Sequence, residues 1–163
     1  MPEEKTLKRA RADLAAGKSK STAAGEFVRE EIDHLREGKH GARSAKQAIA
    51  IGLSKARRAG VSLAAPAKGK ASAQVRTKAR QDLAKGKAKS RPSAKRSRAV
   101  TKALKKEPTA AGSHRALSRQ ARSSAARRGP SARKQAAKKA VATKGPAVRR
   151  AAARKAARTR ART

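Results

Sequence analysis

From residue 65 onward the chain carries Lys or Arg at 32 positions and an acidic side chain at only two, Asp82 and Glu107. A segment so unbalanced repels itself, and it builds a core only where apolar burial outweighs the repulsion. The apolar side chains are scarce. Leu, Ile, Val and Phe together number 18 in 163 residues, well under the roughly 20% below which highly charged chains tend to stay unfolded. Counting Met1, 12 of the 19 large apolar residues lie at or before Leu63. The change of composition near Ala64-Ala65-Pro66 predicts a mainly α protein of two parts. Residues 1–64 form a small module of about three short helices, and residues 65–163 form a low-complexity polycationic tail, disordered or partly helical.

The module reads as helices closed by glycine. The first runs from about Glu3 to Ala16, with Glu3 and Glu4 at the positive end of the helix dipole and Gly17 as its stop. The second follows a Ser21 or Thr22 cap. Phe27, Val28, Ile32 and Leu35 make one apolar stripe, Glu26, Glu30, Asp33 and Glu37 the opposite face, and Gly38 ends it. In the third, Ser44 and Gln47 suggest a capping box, and Ala45, Ala48, Ile49, Gly52, Leu53 and Ala56 share one face whose small residues let the Phe27–Leu35 stripe approach closely. Lys55, Arg57 and Arg58 sit at its negative C-terminal end before Gly60, where they complement the dipole and are also candidates for phosphate contact.

Beyond Pro66 the sequence is Ala, Lys, Arg and Ser, broken at Arg91-Pro92, Glu107-Pro108, Gly129-Pro130 and Gly145-Pro146. Segments of helical length lie at about 93–106, 113–128, 131–144 and 147–161. Their alanine faces offset neither ordering entropy nor repulsion, so they are expected to fray alone and to become helical on phosphates. An internal echo aligns KRARADLAAGKSKS at 8–21 with TKARQDLAKGKAKS at 77–90 without gaps.

No motif supports catalysis. Gly17-Lys18-Ser19 matches the end of a phosphate loop, but the required earlier glycine is Ala12, and the segment leaves a helix where the motif leaves a strand. His34 and His40 flank a glycine turn near Asp33 and Glu37, yet the chain has no Cys, and neither spacing fits a zinc pattern; no metal and no cofactor is expected. No helix-turn-helix is expected either: the Gly38–Arg43 connection exceeds the usual ~3–4 residues, and the basic side chains stand at the wrong end of the third helix.

The segment EGKHGARSAKQAIAIGLSKARRAG resembles the signature of a family of small, lysine-rich bacterial proteins of unknown function, with Lys39-His40-Gly41 followed by Gln47 to Ile51. The likeness covers about residues 22–63; Ala45, where many members of that family place a basic residue, is a departure from it. It implies lineage rather than mechanism. The C-terminal ARKQAAKKAVATKGPAVRRAAARKAARTRART is similar in composition to linker-histone and bacterial histone-like tails.

A net charge of +36 calls for a polyanion. Single strands and stacking RNA folds use aromatic platforms, and Phe27 is the one Phe, Tyr or Trp present, so duplex phosphates are the expected target. The expected function is non-specific duplex DNA binding and compaction by a cytoplasmic, nucleoid-associated, histone-like protein. The expected contacts are Lys55, Arg57 and Arg58, then Lys95, Arg96, Arg98, Lys102, Lys105 and Lys106, then Arg115, Arg119, Arg122, Arg127 and Arg128, and finally Arg133, Lys134, Lys138, Lys139, Lys144, Arg149, Arg150, Arg154, Lys155, Arg158, Arg160 and Arg162. RNA or ribosome association is the alternative, as is an adaptor whose acidic second helix binds a protein. No apolar run suits a signal peptide or membrane span.

Overall fold

The protein is described by a computed structural model over residues 2–88 and 93–161. Glycines stop its first three helices where the sequence predicts. Helices α1 (Glu4–Ala15), α2 (Lys20–Arg36) and α3 (Ala45–Arg58) are each followed two residues on by Gly17, Gly38 and Gly60, at φ 71°, 72° and 95°. The cap of α2 is Ser19 rather than Ser21 or Thr22; its Oγ accepts from the Thr22 N–H at 3.2 Å. Ser44 caps α3 by accepting from the Gln47 N–H at 3.2 Å, while Gln47 Oε1 reaches back to the Arg43 N–H at 2.9 Å, one residue before the position a capping box uses.

The α2–α3 pair is the centre of the fold, with α1 against α2 and α4 (Ala73–Lys87) against α3. Phe27 packs with Ala10, Ala23, Ala24, Ala56 and Val61, and a second cluster joins Ile32, Leu35, Ala42, Ala48 and Ala111. As the small-residue face predicts, Ala45, Ala48, Gly52 and Ala56 are the buried residues of that face of α3; Ile49 and Leu53 are half-buried beside them. At the closest point, a Cβ on Gly52 would lie 2.6 Å from Val28 Cα.

The expectation of a short module followed by a disordered tail is corrected. Helix α4 buries Ala79 and Asp82, and its Gly86 approaches so closely that a Cβ there would lie 2.1 Å from the Arg57 carbonyl oxygen. Further on, residues 104–112 return to the Lys39–Ala42 loop: the Gly41 N–H donates to the Leu104 carbonyl at 2.9 Å and the Ala42 N–H to the Pro108 carbonyl at 3.0 Å. A 3-10 turn, Thr109–Gly112, then packs on α2 and α3, burying Ala111, and the Arg36 Nε–H donates to the Gly112 carbonyl at 3.1 Å. Leu117, in the first turn of α6 (His114–Arg127), closes the second cluster. Apart from Leu117, alanine, glycine and backbone contacts make this packing, which is why counting large apolar residues misses it.

The chain divides into two units, Met1–Gln120 and Ala121–Thr163. The first contains α1 to α4, α5 (Ala94–Lys105), whose residues are nearly all exposed, and the start of α6. In the second, the end of α6 is followed by α7 (Gly129–Arg160), which buries no residue. Gly145, at φ 62° and ψ 168°, breaks α7 in front of Pro146, as the Gly-Pro punctuation predicts. The tail is thus helical over nearly all its described residues from Ala94 onward. No strand occurs among the described residues, and none of their helices is long and apolar enough to cross a membrane.

The internal echo has a structural counterpart. Ala10 of α1 and Ala79 of α4 occupy equivalent places and are 2% and 3% exposed, so each helix docks through the alanine of its Ala-Arg pair. The equivalence ends at the acid. Asp13 meets Lys18 Nζ at 2.7 Å at the surface, whereas Asp82 is buried and accepts from Ser54 Oγ at 2.7 Å.

Candidate functional site

The structure separates the candidate cations into an inward group and an outward group. Two of the three at the end of α3 are inward, which corrects their expected exposure. Lys55 Nζ lies 2.7 Å from Glu31 Oε2 and 3.1 Å from Glu30 Oε1, and both carboxylates are buried. Burial pulls the Lys55 ammonium down, but the carboxylates of Glu31 and Glu30 more than offset it and hold the pKa above the ordinary lysine value. Glu30 is opposed in the same way: burial raises it, and the Glu3 N–H, at 3.0 Å, with Thr6 and Lys55, brings it below the ordinary carboxylate value.

Arg57 is 7% exposed. Its Nε–H donates to the Leu63 carbonyl at 3.1 Å and its Nη2 to the Ala64 carbonyl at 3.4 Å, fixing the chain as it leaves α3. Burial lowers the Arg57 pKa, and the negative charge of Asp82 opposes that shift. A guanidinium committed in this way is a structural clamp rather than a phosphate contact. Arg58, one residue on, is half-exposed and is the one of the three still facing outward.

Every other candidate within the described residues is exposed. Lys95, Arg96, Arg98, Lys102, Lys105 and Lys106 stand on and just after α5, where Arg98, Lys102, Lys105 and Lys106 line a shallow depression with Ser97 and Thr101. Arg115 and Arg119 are exposed at the start of α6, and Arg122, Arg127 and Arg128 at its end. The remaining eleven, Arg133 to Arg160, are exposed along α7. Arg162 lies outside the described residues.

Helical geometry distributes the α7 cations around its axis. At about 100° per residue, Arg133, Lys134, Lys138 and Lys139 point to more than half the circumference, and so do Arg149, Arg150, Arg154 and Lys155. Each half of α7 is ~22 Å long at ~1.5 Å per residue, and duplex DNA presents one phosphate per ~1.7 Å, so phosphates outnumber the cations that reach them. The arrangement offers charge without a fixed pattern of base-reading donors.

All the acidic residues except Glu4 are paired within the first unit. Glu26 pairs with Arg9 at 3.8 Å, Asp33 with Arg36 at 3.9 Å, Glu37 with Lys39 at 2.9 Å, and Glu107 with Arg43 at 3.6 Å. Glu30, expected on the exposed face of α2, is buried beneath α1 and α3. Phe27 is 1% exposed and offers no stacking surface.

The two histidines of the glycine turn are joined by a residue that the motif reading passes over. Glu31 lies between them, buried, with Oε1 3.1 Å from His40 Nε2. The available signal is its spacing, three residues before His34 on one helical face. No family model, curated protein or solved structure matches the chain, so the likeness over residues 22–63 stays a likeness of motif.

Proposed function

We propose that the protein binds duplex nucleic acid without reading its sequence, neutralising phosphates with the cations of α5, α6 and α7 and compacting DNA in the manner of histone-like nucleoid proteins. One observation carries this reading. From Lys95 to Arg160 every Lys and Arg is exposed, and the only acid in that stretch, Glu107, faces Arg43. The first unit keeps its ion pairs to itself and the outward surface beyond it is almost wholly cationic. Released counterions supply the affinity, and the alanine-rich helices hold the charges at a spacing any duplex can meet.

Competition binding tests it. Two duplexes of unrelated sequence should compete equally for the full-length protein, and affinity should fall linearly in log salt with a slope near −0.9 per phosphate contacted. A strong preference for one duplex sequence, or for folded RNA over duplex DNA at the same ionic strength, would replace this reading with sequence recognition or RNA association.

A further inference from the structure

We propose that Glu31, His34 and His40 bind one borderline divalent transition-metal ion, for which Zn²⁺ is the natural probe. The site is separate from the cationic helices and stands whether or not they bind nucleic acid. Each of the three residues offers one ligand atom, and these atoms lie within 4.8 Å of one another. Tetrahedral zinc at ~2.0–2.1 Å from its ligands separates donor atoms by about 3.3 Å, a closure that small side-chain rotations supply. The imidazoles are already suitably placed. Their centroids are 5.9 Å apart at an interplanar angle of 87°, and two rings sharing one zinc would have centroids roughly 5–6 Å apart.

The second observation is the state of Glu31. Its side chain is 1% exposed; Oε2 is held by Lys55 Nζ at 2.7 Å, and Oε1 has no partner with hydrogen-bond geometry. Beside a neutral His40 the 3.1 Å approach of Nε2 brings no proton to Oε1, so that oxygen keeps acceptor capacity unused in a place where water does not reach. A buried carboxylate with unfilled lone pairs, facing two imidazoles, is a donor set for a cation.

The surroundings suit that role. His40 Nδ1 is 3.1 Å from the Gly41 carbonyl, which can only accept, so a neutral ring carries its proton there and presents a bare Nε2 toward Glu31. His34 Nε2 is 2.8 Å from Glu3 Oε1, a carboxylate–imidazole contact of the kind that orients metal-binding rings. Glu31 and His34, three residues apart on α2, repeat the Glu-x-x-His spacing by which helices present metal ligands. Two ammonium groups face the cluster. Lys55 also holds Glu30 at 3.1 Å, and Lys39 is shared between Glu3 at 3.2 Å and Glu37 at 2.9 Å, so Glu31 Oε1, on the side away from Lys55, is the oxygen left for the ion. Two nitrogens and one oxygen match zinc and its neighbours better than Mg²⁺ or Ca²⁺. A bound ion would tie α2 to the loop that residues 104–108 pack against.

Titration of the full-length, chelator-treated protein with ZnCl₂ by calorimetry tests the site. The expected result is saturable binding of one Zn²⁺, at least tenfold weaker in His34→Gln and in His40→Gln and unchanged in His114→Gln. Absence of saturable binding, or equal binding by the first two variants and the wild type, would overturn the proposal. Should a variant lose helicity, imidazole NMR of the wild-type protein decides the matter. Zn²⁺ shifting the His34 and His40 ring resonances supports the site, and Zn²⁺ shifting only His114, or none, overturns it.

Discussion

Gly52 of α3 and Val28 of α2 meet backbone to backbone: a Cβ on Gly52 would fall 2.6 Å from Val28 Cα and 2.9 Å from Val28 N. Neither atom belongs to a flexible side chain, so the contact yields only if the helices separate. Gly52→Ala gains up to about 1 kcal/mol of helix propensity but loses about 1–3 kcal/mol or more to overpacking, and the rigidity of its neighbour puts the loss at the upper end. Thermal unfolding of this variant should occur at lower temperature than wild type. Gly25, in the interior of α2, is the counterpart: a Cβ there would meet nothing within 4 Å, so Gly25→Ala should gain about 0.5–1 kcal/mol.

The Lys55 ammonium between Glu30 and Glu31 predicts both a mutational cost and a pH profile. Lys55→Ala leaves two buried carboxylates without their shared cation, a loss of about 3 kcal/mol or more. Lys55→Met, which keeps the volume, should also destabilise, because the carboxylates remain. Glu30 is held below its ordinary value in the folded protein, so its contribution is complete above the unfolded value and disappears as pH falls through the folded one. Lys55 is held above its ordinary value, so its contribution is complete below the unfolded value and disappears as pH rises through the folded one. Unfolding temperature, measured with chelator present, should be flat at roughly pH 6–9 and fall on both sides. In Lys55→Met the alkaline fall assigned to this group should vanish.

Legibility in the sequence followed side-chain size. The stripe of Phe27, Ile32 and Leu35, the three glycine stops and the small face of α3 could be read because large apolar residues mark a period and a glycine past a helix marks an end. Helix α4 carries no such mark. Its docking depends on Ala79, Gly86 and a buried Asp82, which form no stripe of large apolar side chains. The packing of residues 104–112 rests on backbone hydrogen bonds to Gly41 and Ala42, which leave no side-chain pattern. Arg57 and Arg58 are adjacent and alike in sequence; only the return of the chain through Leu63 and Ala64 decides that the first is clamped inward. The cations of α5 to α7 were legible as an exposed set because only scattered Leu and Val residues, too few for an apolar stripe, accompany them.

That difference between adjacent arginines gives a test with opposite outcomes. Arg57→Ala frees the Leu63 and Ala64 carbonyls and removes a positive charge near Asp82, so it should lower stability by about 1–3 kcal/mol and leave the salt slope of nucleic-acid binding unchanged. Arg58→Ala should do the reverse, with little change in stability and a slope reduced by about one unit or less.

Truncation must respect the packed body to be informative. A cut at Pro108 would remove Ala111, Gly112 and Leu117 from the core as well as charge from the tail. Ending the chain at Gln120 removes 15 Lys and Arg and no acid while leaving those contacts in place. The shortened protein should keep its unfolding temperature within a few degrees, bind every duplex more weakly, and show a salt slope flatter by several units. An unchanged slope would show that the cations of residues 1–120 are sufficient for binding.

Helix α7 carries like charges at four-residue spacing in Arg150, Arg154 and Arg158, each pair costing about 0.2–0.5 kcal/mol of helix stability. Phosphate neutralisation removes that cost, so circular dichroism should record a gain of helix on adding duplex DNA at low salt. Arg154→Glu converts both repulsive pairs into attractive ones, a swing of about 1–2 kcal/mol in favour of helix before any polyanion is present. The same change removes a phosphate contact and adds a repelled charge. The variant should therefore be more helical alone, gain less helix on DNA, and bind with a slope reduced by about one to two units. If stronger helix formation instead raised affinity at unchanged slope, preorganisation of α7 rather than its charge would be the controlling quantity.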